Sequence, residues 1–269
     1  MLTKLRAIWR FSIFILTAML LILFLMIVSI FRGRDETFHL KMRRRWINMI
    51  FPFMGVDLDF TNPYTELPAS AIYVQNHKSY FDPAPVLKFF DAMPVSKAEV
   101  SSWFFIGYAA AYTGVIYVKR EDRESRRNTV KAMAEQLDLG QNVLIYPEGT
   151  TTASAKTLMF RLGAFRLACE KGVPIIPMAI EYGSDADCWV NDEFFLTHFM
   201  RCFGKKKVHV KMSIGAPMYG ESPEQLLEEV QAWVDGEILR LRREFVEEGI
   251  RQDMGSTDNN ATQPKKQTI

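Results

Sequence analysis

The chain has 269 residues, of which 48% are hydrophobic, and its 33 basic and 31 acidic residues leave a formal net charge of +2. This length and apolar content favour one globular domain of about 200 residues with a further segment at each end. Three cysteines without a pattern argue against a disulfide framework and indicate a reducing compartment. The near-neutral balance hides a segregation, because the first 45 residues are basic and apolar.

The amino-terminal segment has the length of a membrane helix. Residues 11–31 carry no charge, and as a helix they extend about 31 Å, close to the hydrocarbon thickness of a bilayer. A cleavable signal sequence is the alternative, but its apolar run is usually only ~7–15 residues long. Because basic residues are more frequent after the run than before it, we expect the following domain on the cytoplasmic face of a membrane, which would be the inner membrane if the source is bacterial.

The next segment, residues 35–54, mixes large apolar side chains with a basic cluster and Trp46. This composition predicts a helix at the headgroup region of an anionic leaflet. An amphipathic helix packed on the domain is the alternative, and the two are compatible. The predicted organisation is therefore a membrane anchor and basic helix at 1–54, a domain at 55–251 and a disordered tail at 252–269.

From residue 56 onward, short β-branched or apolar runs alternate with helical patterns. This alternation predicts a single α/β domain with a largely parallel or mixed sheet flanked by helices. The predicted strands are 56–60, 71–74, 94–97, 115–118, 143–146, 174–180 and 208–214. The predicted helices are 83–90, 102–112, 123–139, 160–171 and a long one from Ser222 to near Gly249.

The stretch from Gln75 to Pro83 is the strongest candidate for a reaction centre, since a predicted strand leads through it into a helix. Positions five apart on one helix point about 140° apart, so His77 and Asp82 touch only if His77 precedes the helix. Either Asp82 caps the helix, or Ser79 caps it and Asp82 lies in the first turn. A histidine that merely caps a helix is the structural alternative.

A histidine and carboxylate in contact form a general-base pair, in which imidazole takes a proton from a hydroxyl and the carboxylate fixes its tautomer. No Gly-x-Ser-x-Gly sequence occurs, and no cysteine has a histidine beside it in the chain. A covalent acyl-enzyme is thus disfavoured, and the substrate's own hydroxyl is the expected nucleophile. The four histidines share no ligand spacing, so we expect no metal.

Further polar residues follow other predicted strands, at the edge where open α/β sheets bind ligands. Lys119 and Arg120 end the strand at 115–118 and could bind an anion, although the acidic residues that follow could neutralise them. The strand at 143–146 leads into residues 147–152, where a glycine, hydroxyls and a carboxylate could bind a polyol. An ordinary turn would contain the same residue types.

Four blocks in this order resemble the glycerolipid acyltransferase family, typified by 1-acyl-sn-glycerol-3-phosphate acyltransferases. The blocks are Asn76-His77-x4-Asp82, Gly114 to Arg120, Pro147-Glu148-Gly149-Thr150 and Val173 to Pro177. The resemblance implies that His77 is the general base and Asp82 its orienting partner. It also implies a membrane-seated helical segment at the amino terminus.

The resemblance further implies that Arg120 contacts a phosphate or headgroup, and that Glu148, Gly149 and Thr150 form part of a glycerol-binding wall. Arg161 matches a basic residue that often precedes the Gly-Ala-Phe of this family. The candidate substrate-binding residues are thus Asn76, Lys119, Arg120, Glu148, Gly149, Thr150, Thr151 and Arg161.

One residue departs from the family pattern, because Thr151 stands where relatives commonly carry arginine. The departure leaves the acceptor open among 1-acyl-sn-glycerol-3-phosphate, which we favour, another lysophospholipid and an amino-acid-containing lysolipid. The expected reaction moves an acyl group from acyl-CoA or acyl carrier protein, with no cofactor, to the acceptor's hydroxyl. We expect membrane lipids, and not nucleic acid, as partners. A lipid-binding membrane protein without catalytic turnover is the alternative functional class.

Overall fold

A computed structural model of the protein describes residues 1–102, 112–119, 122–191 and 193–251. The described strands form one mixed sheet in the order β1-β7-β6-β2-β5-β3-β4. Neighbouring strands are parallel except β6 and β7, which are antiparallel. The strands are β1 Val56–Thr61, β2 Ile72–Gln75, β3 Ala92–Lys97, β4 Ile116–Val118, β5 Asn142–Ile145, β6 Ile175–Tyr182 and β7 Val208–Ile214. The predicted α/β fold class is confirmed, and each predicted strand is present to within about two residues at its ends.

Helices flank this sheet and also form the amino-terminal segment. They are α1 Leu2–Arg32, α2 Glu36–Met54, α3 Pro83–Phe89, α4 Arg123–Asp138, α5 Gly163–Lys171, α6 Phe195–Cys202 and α7 Pro223–Glu247. The sequence did not predict α6, which is short and begins after Phe194 without a side-chain cap. The tail at 252–269 and the interior of the helix predicted at 102–112 lie outside the described residues.

The central strands are buried on both faces because helices cover each side of the sheet. On one face, Ile72 and Val74 pack in a core completed by α4, α5 and α7. On the other face, Tyr73 packs in a core that includes Ile47 and Phe51 of α2. This alternation follows from the two-residue period of a strand. Helix α2 therefore packs on the domain, as one of the two alternatives for residues 35–54 predicted.

Helix α1 is attached to the domain through a buried arginine. The guanidinium of Arg10 donates hydrogen bonds to four main-chain carbonyls, those of Phe53, Phe203, Lys205 and Lys206. Gly55 makes room for it, because a Cβ at this residue would lie 1.9 Å from Arg10 Nη2 and its φ is 67°. The sequence suggested a flanking charge, but Arg10 is a structural tether.

The outer face of α1 remains apolar. Among the described residues, α1 is the one helix long and apolar enough to cross a membrane, and few residues of its apolar stretch are buried. Its large exposed side chains in the middle and second half are Leu16, Met19, Leu20, Leu23, Phe24, Met26, Ile27, Ile30 and Phe31. Such a surface is unfavourable in water and suits a lipid environment.

We predict that Arg10→Met lowers the free energy of unfolding by about 2–4 kcal/mol, because it leaves buried carbonyls without a donor. Urea unfolding in detergent measures this change, and Lys4→Met provides the control, since Lys4 is exposed on the same helix. Equal stability of the two variants would contradict the tether.

Candidate active site

His77 and Asp82 meet in the turn between β2 and α3. His77 Nδ1 lies 2.8 Å from Asp82 Oδ2, and α3 begins at Pro83 with Asp82 at the N-cap position. The Asp82 carboxylate does not cap the helix. It folds back instead, and Oδ2 also accepts from the amides of Lys78 at 2.6 Å and Ser79 at 2.8 Å. The turn is therefore built around the carboxylate.

The Asp82 carboxylate is fully buried, and its second oxygen has a partner as well. Tyr182, at the end of β6, donates its hydroxyl to Asp82 Oδ1 at 2.7 Å. With Asp82 accepting at Nδ1, the imidazole of His77 carries its proton there and leaves Nε2 as the basic atom. The His77 side chain is 14% exposed, so solvent or a substrate reaches it from one side.

Two of the candidate binding residues hold the main chain around His77. Asn76 bonds both the carbonyl and the amide of Ile180, at 3.0 and 2.8 Å. Glu148 accepts from the amides of His77 at 2.7 Å and Leu158 at 2.9 Å. Burial raises the pKa of Glu148 to about 7, although these two bonds favour its charged form. Both side chains thus direct their polar atoms at the backbone.

A cavity of about 700 Å³ opens beside His77. Gly149, Thr150, Thr151 and Arg161 line it near the histidine. Gly149 has φ 73°, and a Cβ there would lie 2.7 Å from the Arg161 guanidinium carbon, so this position favours glycine. The remainder is largely apolar and includes Phe14, Ala18, Ile22, Ile47, Ile50 and Phe199 from α1, α2 and α6.

The other candidate cations lie differently. Lys119 lies outside this lining, in a separate cavity of about 290 Å³ with Asp122 and Glu124, and Arg120 lies outside the described residues. Lys97, which the sequence did not single out, does line the larger cavity and pairs with Glu99 at 3.2 Å. Arg161 is therefore the candidate cation that the structure brings to the cavity.

Thr151 lines the cavity but uses its hydroxyl within the protein, since it donates to the carbonyl of Trp189. The ring of Tyr146 stacks on His77 with centroids 4.2 Å apart. The sequence missed both Tyr146 and Tyr182. The strand-end rule could have identified Tyr182, which lies two residues beyond the predicted end of β6.

Lys78, next to His77, is held in a buried charge network. Its Nζ lies 3.1 Å from Glu181 Oε2, and both side chains are fully buried. Arg242 of α7 donates to the same oxygen at 2.8 Å, and Arg251 lies 3.7 Å from the other. Paired charges of this kind are costly to separate, so the network fixes the turn to β6 and α7.

Among the described residues, no group of three or more histidine, cysteine or acidic side chains is placed to hold a metal ion. The cysteines are also unsuited to be nucleophiles. Burial raises the pKa of Cys188 and Cys202 well above the ordinary thiol value, which disfavours the thiolate. The site offers an imidazole hydrogen-bonded to a carboxylate, beside a largely apolar cavity.

Comparisons with known proteins identify the family of this chain. A family model described as Acyltransferase matches residues 60–181. The chain is 27% identical over 206 residues to the chloroplastic 1-acyl-sn-glycerol-3-phosphate acyltransferase BAT2 of Brassica napus, covering 76% of this chain and 57% of that protein. It thus spans little more than half the length of that relative, and 55% of a similar one from Arabidopsis thaliana.

A solved structure has a similar fold. The 1-acyl-sn-glycerophosphate acyltransferase from Thermotoga maritima superposes with a TM-score of 0.56 at 21% identity, over 86% of this chain and 97% of that one. Another relative is the lyso-ornithine lipid O-acyltransferase of Pseudomonas aeruginosa, 32% identical over 208 residues. Since this match covers 74% of the chain and 79% of that relative, the protein belongs to the glycerolipid acyltransferase family that its motifs resemble.

Proposed function

We propose that the protein transfers a fatty acyl group from an acyl thioester to the free hydroxyl of a lysolipid. The observation that carries this proposal is the hydrogen-bonded His77–Asp82 pair, whose histidine lines a large and mostly apolar cavity. A lipid acceptor needs both features, because its hydroxyl must reach a base while its chain stays out of water.

In the proposed reaction, His77 Nε2 takes the proton of the acceptor hydroxyl as its oxygen attacks the thioester carbonyl. Asp82 stabilises the imidazolium that forms. The tetrahedral intermediate then collapses with cleavage of the carbon–sulfur bond, and the imidazolium returns its proton to the leaving thiolate. The products are a diacylated lipid and a free thiol, and the enzyme needs no cofactor beyond acyl-CoA or acyl carrier protein as co-substrate.

For the acceptor we favour 1-acyl-sn-glycerol-3-phosphate, which gives phosphatidic acid. Arg161 supports this choice because it lines the cavity beside Gly149, and among the described residues its guanidinium makes no ion pair. An arginine binds a phosphate monoester through two parallel hydrogen bonds. The same acceptor appears in the names of the relatives from Brassica napus and Haemophilus influenzae.

A second candidate is a lyso-ornithine lipid, which carries no phosphate. Thr151 favours it, since a threonine whose hydroxyl is bonded to Trp189 replaces the arginine common in the family. The Pseudomonas aeruginosa relative is named for this acceptor. Other lysophospholipids remain alternatives for the same reason.

We further propose that α1 and α2 seat the protein in one leaflet of the membrane, with the catalytic domain on the cytoplasmic face. Arg10, near the beginning of α1, bonds carbonyls of the domain. Near its end, Ser29 Oγ lies 3.1 Å from His39 Nε2, and His39 stacks on Tyr112. Because both parts of α1 contact elements that pack on the domain, a helix lying along its surface fits better than one crossing the bilayer.

Substitution of His77 tests the proposed base. His77→Ala should reduce the rate of transfer by about 10²–10⁴, because proton removal in the transition state is lost. The assay measures lysolipid-dependent thiol release from acyl-CoA and from acyl carrier protein separately, and so identifies the donor.

His209→Ala, which changes a half-buried histidine on β7, is the control and should remain active. More than a tenth of the activity in folded His77→Ala protein would refute the assignment, and an inactive wild type would favour a lipid-binding role.

The acceptor can be tested with a panel of lysolipids at equal surface concentration. Arg161→Gln should raise the KM for 1-acyl-sn-glycerol-3-phosphate about tenfold, the value of one charge-assisted contact, and leave the KM for the acyl donor unchanged. Arg166→Gln is the matched control, since Arg166 is exposed on α5. If the wild type prefers a lyso-ornithine lipid, the phosphate acceptor is wrong.

Membrane seating depends on the apolar face of α1. The double change Leu20→Glu and Phe24→Glu should reduce the fraction of purified protein that floats with anionic vesicles, because a charged side chain in hydrocarbon costs about 2.5–3.5 kcal/mol. Met159→Glu, at an exposed apolar residue away from α1, should float like the wild type. Unchanged flotation of the double variant would exclude α1 as the seat.

A further inference from the structure

We propose that Tyr182 is a positioning residue that tunes the basicity of His77 through its hydrogen bond to Asp82. The inference rests on the proposed function and deepens it. Asp82 Oδ2 is shared by His77 and two main-chain amides, whereas Oδ1 receives the Tyr182 hydroxyl. Among the described residues, His77 and Tyr182 are thus the two side chains that form hydrogen bonds with this carboxylate.

The position of Tyr182 follows from the place at which strands β2 and β6 diverge. The two strands are parallel neighbours up to Gln75 and Met178. Asn76 then bonds both main-chain groups of Ile180 through its side chain, so the backbone of β2 is free to leave the sheet at His77. Strand β6 continues for two residues beyond Ile180. Tyr182, the last of them, points to the same face as Ile180 and reaches Asp82 with its hydroxyl.

The backbone at Tyr182 is held on both sides. Arg251 Nη1 donates to its carbonyl at 3.1 Å. The preceding residue, Glu181, points to the opposite face and pairs with Lys78 and Arg242. Neighbouring residues of β6 therefore fix the two sides of the His77 turn, one through an ion pair and the other through the phenol. Such a frame places the phenol oxygen within narrow limits.

The hydroxyl remains a donor throughout the working pH range. Burial, and then the negative charge of Asp82, raise the pKa of Tyr182 well above the ordinary tyrosine value. A phenol that donates to the carboxylate withdraws part of its negative charge from the imidazole. When this donor is lost, the carboxylate attracts the proton of the imidazolium more strongly, so the acidic limb of the rate profile should move to higher pH.

The experiment compares the pH dependence of kcat/KM for the full-length wild type, Tyr182→Phe and Tyr73→Phe in lipid vesicles. Tyr73 is a buried tyrosine on β2 and provides the same chemical change away from Asp82. For Tyr182→Phe we expect the acidic limb to move about half a pH unit to higher pH, which is about a threefold loss on that limb. Tyr73→Phe should keep the limb of the wild type.

Other ionisable groups surround the pair. One of them, Glu148, has a pKa raised by burial to about 7 and therefore titrates near neutral pH. All of them are retained in Tyr182→Phe, so the difference between the two profiles isolates the phenol. The ionisable groups next to His77 and Asp82 are Lys78, Tyr146, Glu148 and Cys188. Arg161 lines the same cavity as His77, and Glu181 lies on the far side of Lys78, with which it pairs.

A purely structural role for Tyr182 predicts a different result, a uniform loss of rate at every pH together with a lower melting temperature. Incorporation of 3-fluorotyrosine at position 182 separates the two roles without removing the hydroxyl. Its more acidic phenol is a stronger donor, so the acidic limb should move to lower pH. Opposite shifts for this variant and for Tyr182→Phe would support the inference.

The role of Tyr182 and the proposed function can fail separately. A wild type that turns over lysolipid while Tyr182→Phe and the fluorotyrosine variant both keep its acidic limb would overturn the role of Tyr182 alone. A wild type without transfer from either acyl donor would overturn the proposed function itself. If Tyr182→Phe does not fold, the fluorotyrosine profile decides the question, because that variant keeps the bond to Asp82.

Discussion

The buried carboxylate of Asp82 is the constraint on which the geometry of the site depends. A fully buried charge is expensive unless donors surround it, and Asp82 receives hydrogen bonds from His77, Lys78, Ser79 and Tyr182. Three of these donors belong to the turn that Asp82 itself closes. The carboxylate therefore organises the turn first and orients the imidazole as a consequence, and a substitution that disturbs it would affect both.

Buried charges also connect the layers of the molecule. Arg10 binds α1 to main-chain carbonyls near α2 and α6. The pair Lys78–Glu181, joined by Arg242, links the His77 turn to β6 and α7. Each contact forms only when two distant segments are in place, because a buried charge without its partner is strongly unfavourable. Such contacts therefore specify which segments pack together. Apolar contacts specify this less strictly, because one apolar side chain can replace another of similar volume.

Local patterns in the sequence were sufficient for the strands, the fold class and the contact between His77 and Asp82. The period of apolar residues and the short separation of the two side chains carry that information directly. The positions of Asn76 and Glu148 could not be predicted in the same way. Their residue types suit a polyol equally well, and only the pairing with Ile180 and Leu158 shows that the backbone occupies them. Tyr182 was missed because its partner is distant in sequence.

The wall of the cavity is formed both by the helices proposed to seat the protein in the membrane and by the residues proposed to carry out acyl transfer. Residues of α1 and α2, such as Ala18 and Ile47, line it together with His77 and Arg161. A segment that only attached the protein to a membrane would have no reason to form this wall. Because the same helices present apolar side chains outward, a lipid that enters along α1 exchanges one apolar environment for another, and little hydrophobic free energy opposes the transfer. In the proposed reaction, the acceptor hydroxyl would then approach His77 from the membrane side without its chain crossing water.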